Sequence, residues 1–127
     1  MKKILIVDDN IEFAKFVSEV CSRMDGIEPL TCYSVEEARK AVLNNDNIVL
    51  AVLDIVMPEE DVFELISWLK ENSYKIPNIL VSGYNPYYSE LAEKMSNLYG
   101  MESKAILREP VRLAELQETI AKALSEF

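Results

Sequence analysis

Histidine is absent from this chain, and only three glycines, two cysteines and one tryptophan occur among its 127 residues. Without imidazole, the chain has no histidine general acid or base, no histidine metal ligand and no phosphohistidine of its own. Positive charge is also scarce: 13 Lys and Arg stand against 22 Asp and Glu, a net charge of −9. That excess repels a phosphate backbone, so direct nucleic-acid binding is not expected. Cys21 and Cys32 sit in apolar company without a CxxC spacing, which reads as buried, reduced thiols. No apolar run approaches the ~20 residues of a membrane-spanning helix. The start, "MKKILIVDD", offers only four apolar residues before its aspartates, too few for a secretory signal. Together these absences predict a cytoplasmic chain without membrane contact.

Half of the residues are apolar, enough for one domain over 1–127 with a real core. Runs of strand length alternate with stretches of helical period. The strand candidates are 3–7, 28–32, 48–53, 78–82 and 104–108. "ILIV", "VLAVL" and "NILVS" are continuous rather than alternating, as parallel strands covered on both faces require. Pro29 sends the second strand to an edge.

The intervening segments carry helix signals. Phe13, Phe16, Val17, Val20 and Met24 form the buried face of the first. Ser34 and Glu37 make a capping box ahead of Val35, Ala38, Ala41 and Val42. Phe63, Leu65, Ile66 and Leu69 mark the third helix. Asn85 and Pro86 open the fourth, with Tyr88, Leu91, Ala92, Met95 and Leu98 at helical spacing. Leu113, Leu116, Ile120 and Leu124 mark the last. Five strands alternating with five helices predict an α/β fold, a doubly wound five-stranded parallel sheet of flavodoxin-like order 2-1-3-4-5.

Ligands of such sheets bind beyond the carboxyl ends of the strands, near the switch in strand order. Asp8 and Asp9, Asp54, Ser82 and Glu109 fall there, supplied by strands one, three, four and five. Clustered carboxylates repel unless a hard cation binds or a proton is held, and oxygen ligands of this kind suit Mg²⁺. Asp54 beside such a cation is a candidate nucleophile toward a phosphoryl group, and Ser82 offers a hydroxyl to a phosphoryl oxygen. A blander account makes Asp8 and Asp9 helix caps and Asp54 a turn former; convergence at the switch point argues against it.

"ILIVDDN", "VLDIVMPEED", "ILVSGY" and "ILREP" resemble, in order, the motifs of the response-regulator receiver domain of two-component signalling, over essentially the whole chain. The resemblance implies that Asp54 accepts a phosphoryl group from a sensor histidine kinase or phosphotransfer protein. It also implies Mg²⁺ held by Asp8, Asp9, Asp54 and the backbone carbonyl of Val56, with Ser82 moving to the phosphate and Met57-Pro58 filling a turn. Such domains signal through protein contacts, to a downstream target or as a homodimer, using the fourth helix, fifth strand and fifth helix. Tyr84, Tyr87 and Tyr88 cluster in that region. The bond before Pro110 is expected to be cis.

Three positions depart from the family pattern. Glu109 replaces the lysine before the fifth-strand proline, Ile106 falls on or near the usual switch aromatic, and Val62 replaces a glycine. With Glu109, four carboxylates and one Mg²⁺ sum to about −2 before any phosphoryl group arrives. Strand alternation argues against Arg108 as a direct substitute for the lysine. The alternative function is a pseudo-receiver, a protein-binding module independent of phosphorylation. A phosphohydrolase would want an aspartate where Val56 stands.

Overall fold

In the computed structural model, residues 1–55, 62–83 and 86–126 are described. The apolar runs become β1 (Lys2–Val7), β2 (Ile27–Cys32), β3 (Ile48–Asp54), β4 (Asn78–Ser82) and β5 (Ser103–Arg108). They alternate with α1 (Ile11–Ser22), α2 (Val35–Asn44), α3 (Val62–Glu71), α4 (Pro86–Leu98) and α5 (Leu113–Ser125). The strands pair in parallel in the order β2-β1-β3-β4-β5, the expected fold. Pro29 lies on β2, which among the described residues pairs only with β1, so its missing N–H interrupts no pairing on the outer side.

Alternate residues of each strand point to opposite faces, which explains why the central runs are apolar throughout. Leu5, Val7, Leu53 and Leu80 share one core layer with Val42, Leu65 and Ala92 of α2, α3 and α4. Ile4, Ile6, Val52 and Val81 share the other with Val17 of α1 and Leu116 and Ile120 of α5. The two cysteines are buried and free, one in each layer. The α2 start is as the sequence predicts. Glu37 N–H donates to Ser34 Oγ at 3.1 Å, and the Glu37 carboxylate accepts from Tyr33 N–H at 3.2 Å.

Helix α4 keeps Ala92 and Met95 of its predicted face inward and departs at the other positions. Ser89, Ala92 and Ser96 are buried, whereas Tyr88, Leu91 and Leu98 are exposed, Leu98 by 81%. Met95 packs at the core margin. The cause lies at the start of β4, where buried Asn78 needs a polar partner. Its Nδ2 donates to Ser96 Oγ at 2.9 Å, turning the serine side of the helix inward. Ser89 satisfies itself by donating to the Pro86 carbonyl at 2.9 Å. Leu113 at the start of α5 is likewise exposed rather than buried. The expected Asn85 cap, the Met57-Pro58 turn and Tyr84 lie outside the described residues.

The contrast between the two kinds of leucine is measurable. Leu80→Ala should destabilise the chain by roughly 2–5 kcal/mol in urea denaturation, because Leu80 is fully buried in the sheet. Leu98→Ala should stay within about 0.5 kcal/mol of the parent. Comparable losses for both would contradict this placement of α4.

Candidate functional site

Two central strands carry the core of the site. β1 and β3 are neighbours in register up to Val7 and Leu53, so the residues that follow, Asp8 and Asp54, emerge side by side. One carboxylate oxygen each from Asp8, Asp9 and Asp54 lie within 4.8 Å of one another. Asp8 and Asp54 are buried, and Asp9 is exposed. The cap of α1 belongs to neither aspartate but to Asn10, whose Oδ1 accepts from Phe13 N–H at 3.1 Å. Asn10 N–H in turn donates to Asp8 Oδ1 at 2.8 Å. Asn10 is not among the expected site residues, although an Asn directly before an apolar periodic segment is a cap signal.

Burial pushes the Asp8 carboxyl up, to about 6. Hydrogen bonds from Asn10 N–H and with the Asp54 side chain hold it down, while the charges of Asp9 and Glu109 raise it further. A group of oxygens that retains a proton this far above the ordinary aspartate range is one that a hard divalent cation would also relieve.

β4 and β5 complete the rim. Glu109 N–H donates to the Ser82 carbonyl at 2.9 Å, fastening the two strand ends together. Ser82 is 1% exposed, and its Oγ meets no hydrogen-bond partner among the described residues. A buried hydroxyl left so is unfavourable by about 1–3 kcal/mol, which a bound oxygen would offset. Glu109 is exposed and lies outside the group of three close carboxylates, so the expected four-carboxylate convergence is three with a fourth at the rim. The Glu109–Pro110 bond is cis, as expected. A groove of about 420 Å³ runs beside it, lined by Asn10, Phe13, Gly83, Glu109, Pro110 and Val111. Arg108 is exposed at the end of β5, and Ile106 is half-buried beside Leu80.

The family model described as the response regulator receiver domain matches residues 4–121. The chain belongs to the response regulator receiver domain family. The heme response regulator HssR of Staphylococcus haemolyticus is 39% identical over 82 residues, 65% of this chain and 35% of that protein. The DNA-binding transcriptional regulator NtrC of Rhizobium meliloti is 25% identical over 123 residues, 97% of this chain and 24% of that protein. The chain thus spans about a quarter to a third of the length of these curated relatives. Among solved structures, a CheY-like receiver domain from Methanospirillum hungatei superposes with a TM-score of 0.80 at 26% identity, covering 99% of this chain and 95% of that one. The response regulator TrrA of Thermotoga maritima, in complex with Mg²⁺ and BeF, superposes with a TM-score of 0.74 at 27% identity, covering 97% and 99%.

In this receiver domain of a two-component response regulator, Asp8, Asp9 and Asp54 lie together, Ser82 is buried at the end of β4, and Glu109 borders the site from β5. Val56, whose carbonyl completes the predicted ligand set, lies outside the described residues. Among the described residues, no helix is long and apolar enough to cross a membrane.

The raised Asp8 carboxyl has a consequence for stability. Between its ordinary value of 3.8 and about 6, the folded chain holds a proton that the unfolded chain has released. The contribution of this group to stability therefore falls as pH rises through that window, by at most about 3 kcal/mol. In metal-free buffer, Asp8→Asn should gain on the parent by up to that amount between pH 4 and pH 7 in urea unfolding. A difference independent of pH would contradict it.

Proposed function

We propose that Asp54 accepts a phosphoryl group from a sensor histidine kinase or phosphotransfer protein, and that this domain passes the change on through protein contacts. The observation that carries the reading is the grouping of the Asp8, Asp9 and Asp54 oxygens within 4.8 Å at the carboxyl ends of β1 and β3. A carboxylate oxygen of Asp54 attacks phosphorus, and the P–N bond of the donor phosphohistidine breaks with its electron pair returning to the imidazole. Asp8, Asp9, Asp54 and the Val56 carbonyl would hold Mg²⁺. When bound, it supplies positive charge that lets the carboxylate and the phosphoryl oxygens approach. Ser82 Oγ, buried and lacking a partner among the described residues, donates to a phosphoryl oxygen.

The outgoing surface is α4, β5 and α5, where Tyr87, Tyr88, Leu91, Leu98 and Leu113 are exposed. It contacts a downstream protein or a second copy of the chain. The domain works in the cytoplasm without touching nucleic acid or membrane. It is a regulatory phosphoacceptor, not an enzyme with a substrate of its own.

Glu109 favours a second reading, a pseudo-receiver that binds partners without phosphate. Two unit charges ~4 Å apart interact by about 4 kcal/mol at an effective dielectric constant near 20. At an exposed carboxylate solvent screens much of this, so Glu109 weakens the acceptor rather than abolishing it.

Intact-mass measurement after incubation with acetyl phosphate and Mg²⁺ separates the readings. One phosphoryl adduct is expected on the parent chain and none on Asp54→Ala, with Glu109→Lys raising the yield at least fivefold. No Asp54-dependent adduct in either the parent or Glu109→Lys would leave the pseudo-receiver reading standing.

A further inference from the structure

At the end of the sheet opposite the carboxylates, residues 23–26 turn the chain from α1 into β2. Asp25, alone among the aspartates of the sequence, is followed there by a glycine. Both residues are exposed, and both line an open groove of about 680 Å³. Gly26 has φ +75°, and a Cβ placed on it would meet nothing within 4 Å, so no side chain screens its amide. Among the described residues, neither the Gly26 N–H nor the Asp25 carboxylate has a hydrogen-bond or ion-pair partner. A second pair open to the same chemistry, Asn72–Ser73, is exposed but held. Asn72 Nδ2 donates to the Trp68 carbonyl at 2.8 Å, and Ser73 N–H donates to the Lys70 carbonyl at 3.0 Å. Both bonds belong to the closed C-terminus of α3, which Tyr74 N–H completes on the Leu69 carbonyl at 2.9 Å.

We propose that Asp25 is a site of spontaneous isoaspartate formation, and that the fold directs this modification to Asp25 ahead of Asn72. The Gly26 amide nitrogen attacks Cγ of Asp25, and a new C–N bond closes a five-membered succinimide. The amide proton and one carboxyl oxygen, with a second proton, leave as water. Water then returns to the ring. Addition at the Cγ carbonyl restores aspartate. Addition at the main-chain carbonyl breaks the original peptide bond and leaves the chain running through Cβ and Cγ, at unchanged mass. In an unfolded chain Asn72 reacts faster, because at neutral pH an amide is a better electrophile than a carboxylate. The folded chain inverts that order by binding both groups of the Asn72 pair and neither group of the Asp25 pair. The product adds one main-chain carbon between the Met24 carbonyl, which accepts from Ile27 N–H at 3.3 Å, and the Gly26 carbonyl, which accepts from Lys2 N–H at 3.0 Å. Lys2 and Ile27 form the first register pair of β1 with the edge strand β2, so the modification loosens that end of the sheet. This inference is independent of the role of Asp54.

The test ages the full chain for several weeks in neutral buffer at body temperature, folded in one sample and unfolded in guanidinium chloride in another. Trypsin then releases peptides 24–39 and 71–75, which carry Asp25 and Asn72. In the folded sample, peptide 24–39 should split into two chromatographic forms of equal mass. Electron-transfer fragmentation should place isoaspartate at position 25 in the new form. This form should accumulate at least fivefold faster than deamidation in peptide 71–75. In guanidinium chloride the order should reverse. Asp25→Glu keeps the charge at an exposed position but needs a six-membered ring, and should lose the second form. Absence of isoaspartate at position 25, deamidation of Asn72 leading in the folded chain, or Asp25 leading in guanidinium chloride as well would each overturn the proposal.

Discussion

The parallel pairing of β1 with β3 forces two buried carboxylates together, and much else in the domain answers to that constraint. Asp8 and Asp54 follow the paired Val7 and Leu53, so neither can withdraw without breaking the central pair of the sheet. Desolvation and repulsion oppose this arrangement, and the raised Asp8 carboxyl records it. A fold built only for stability would place apolar side chains here. The core layers on either face, from Leu5 and Leu53 to Ile6 and Val52, hold the strands in register against the opposition.

The surroundings of the pair are arranged to keep it in place. Asn10 caps α1 and also donates its own N–H to Asp8, so the start of the helix and the position of the carboxylate are fixed together. The bond from Glu109 N–H to the Ser82 carbonyl joins β4 and β5 at the same level of the sheet. Asn78 and Ser96 anchor α4 at the opposite end of β4. That anchorage leaves Tyr87, Tyr88 and Leu91 outward.

Strand positions were legible in the sequence because both faces of the sheet are covered, which makes the central runs apolar without interruption. The edge place of β2 followed from one proline. The Asp8, Asp9 and Asp54 group was legible because topology alone carries those strand ends to the switch point. The inward face of α4 was not. Hydrophobic spacing pointed to Tyr88, Leu91 and Leu98, but the partner of a buried Asn78 lies far away in sequence, and no local pattern announces it. Glu109 was partly legible. Its identity and its cis proline were foreseen, whereas its exposure and its separation from the other three carboxylates depend on where the chain turns after β5.

In the function proposed, Asp8, Asp9 and Asp54 hold one cation together, and Glu109, outside their close group, is a neighbour and not a member. Calorimetric titration of the metal-free chain with MgCl₂ tests it directly. One binding site is expected, lost in Asp54→Asn and in Asp8→Asn and retained in Glu109→Gln. Absence of Mg²⁺ binding, or binding that survives Asp54→Asn and depends instead on Glu109, would contradict it.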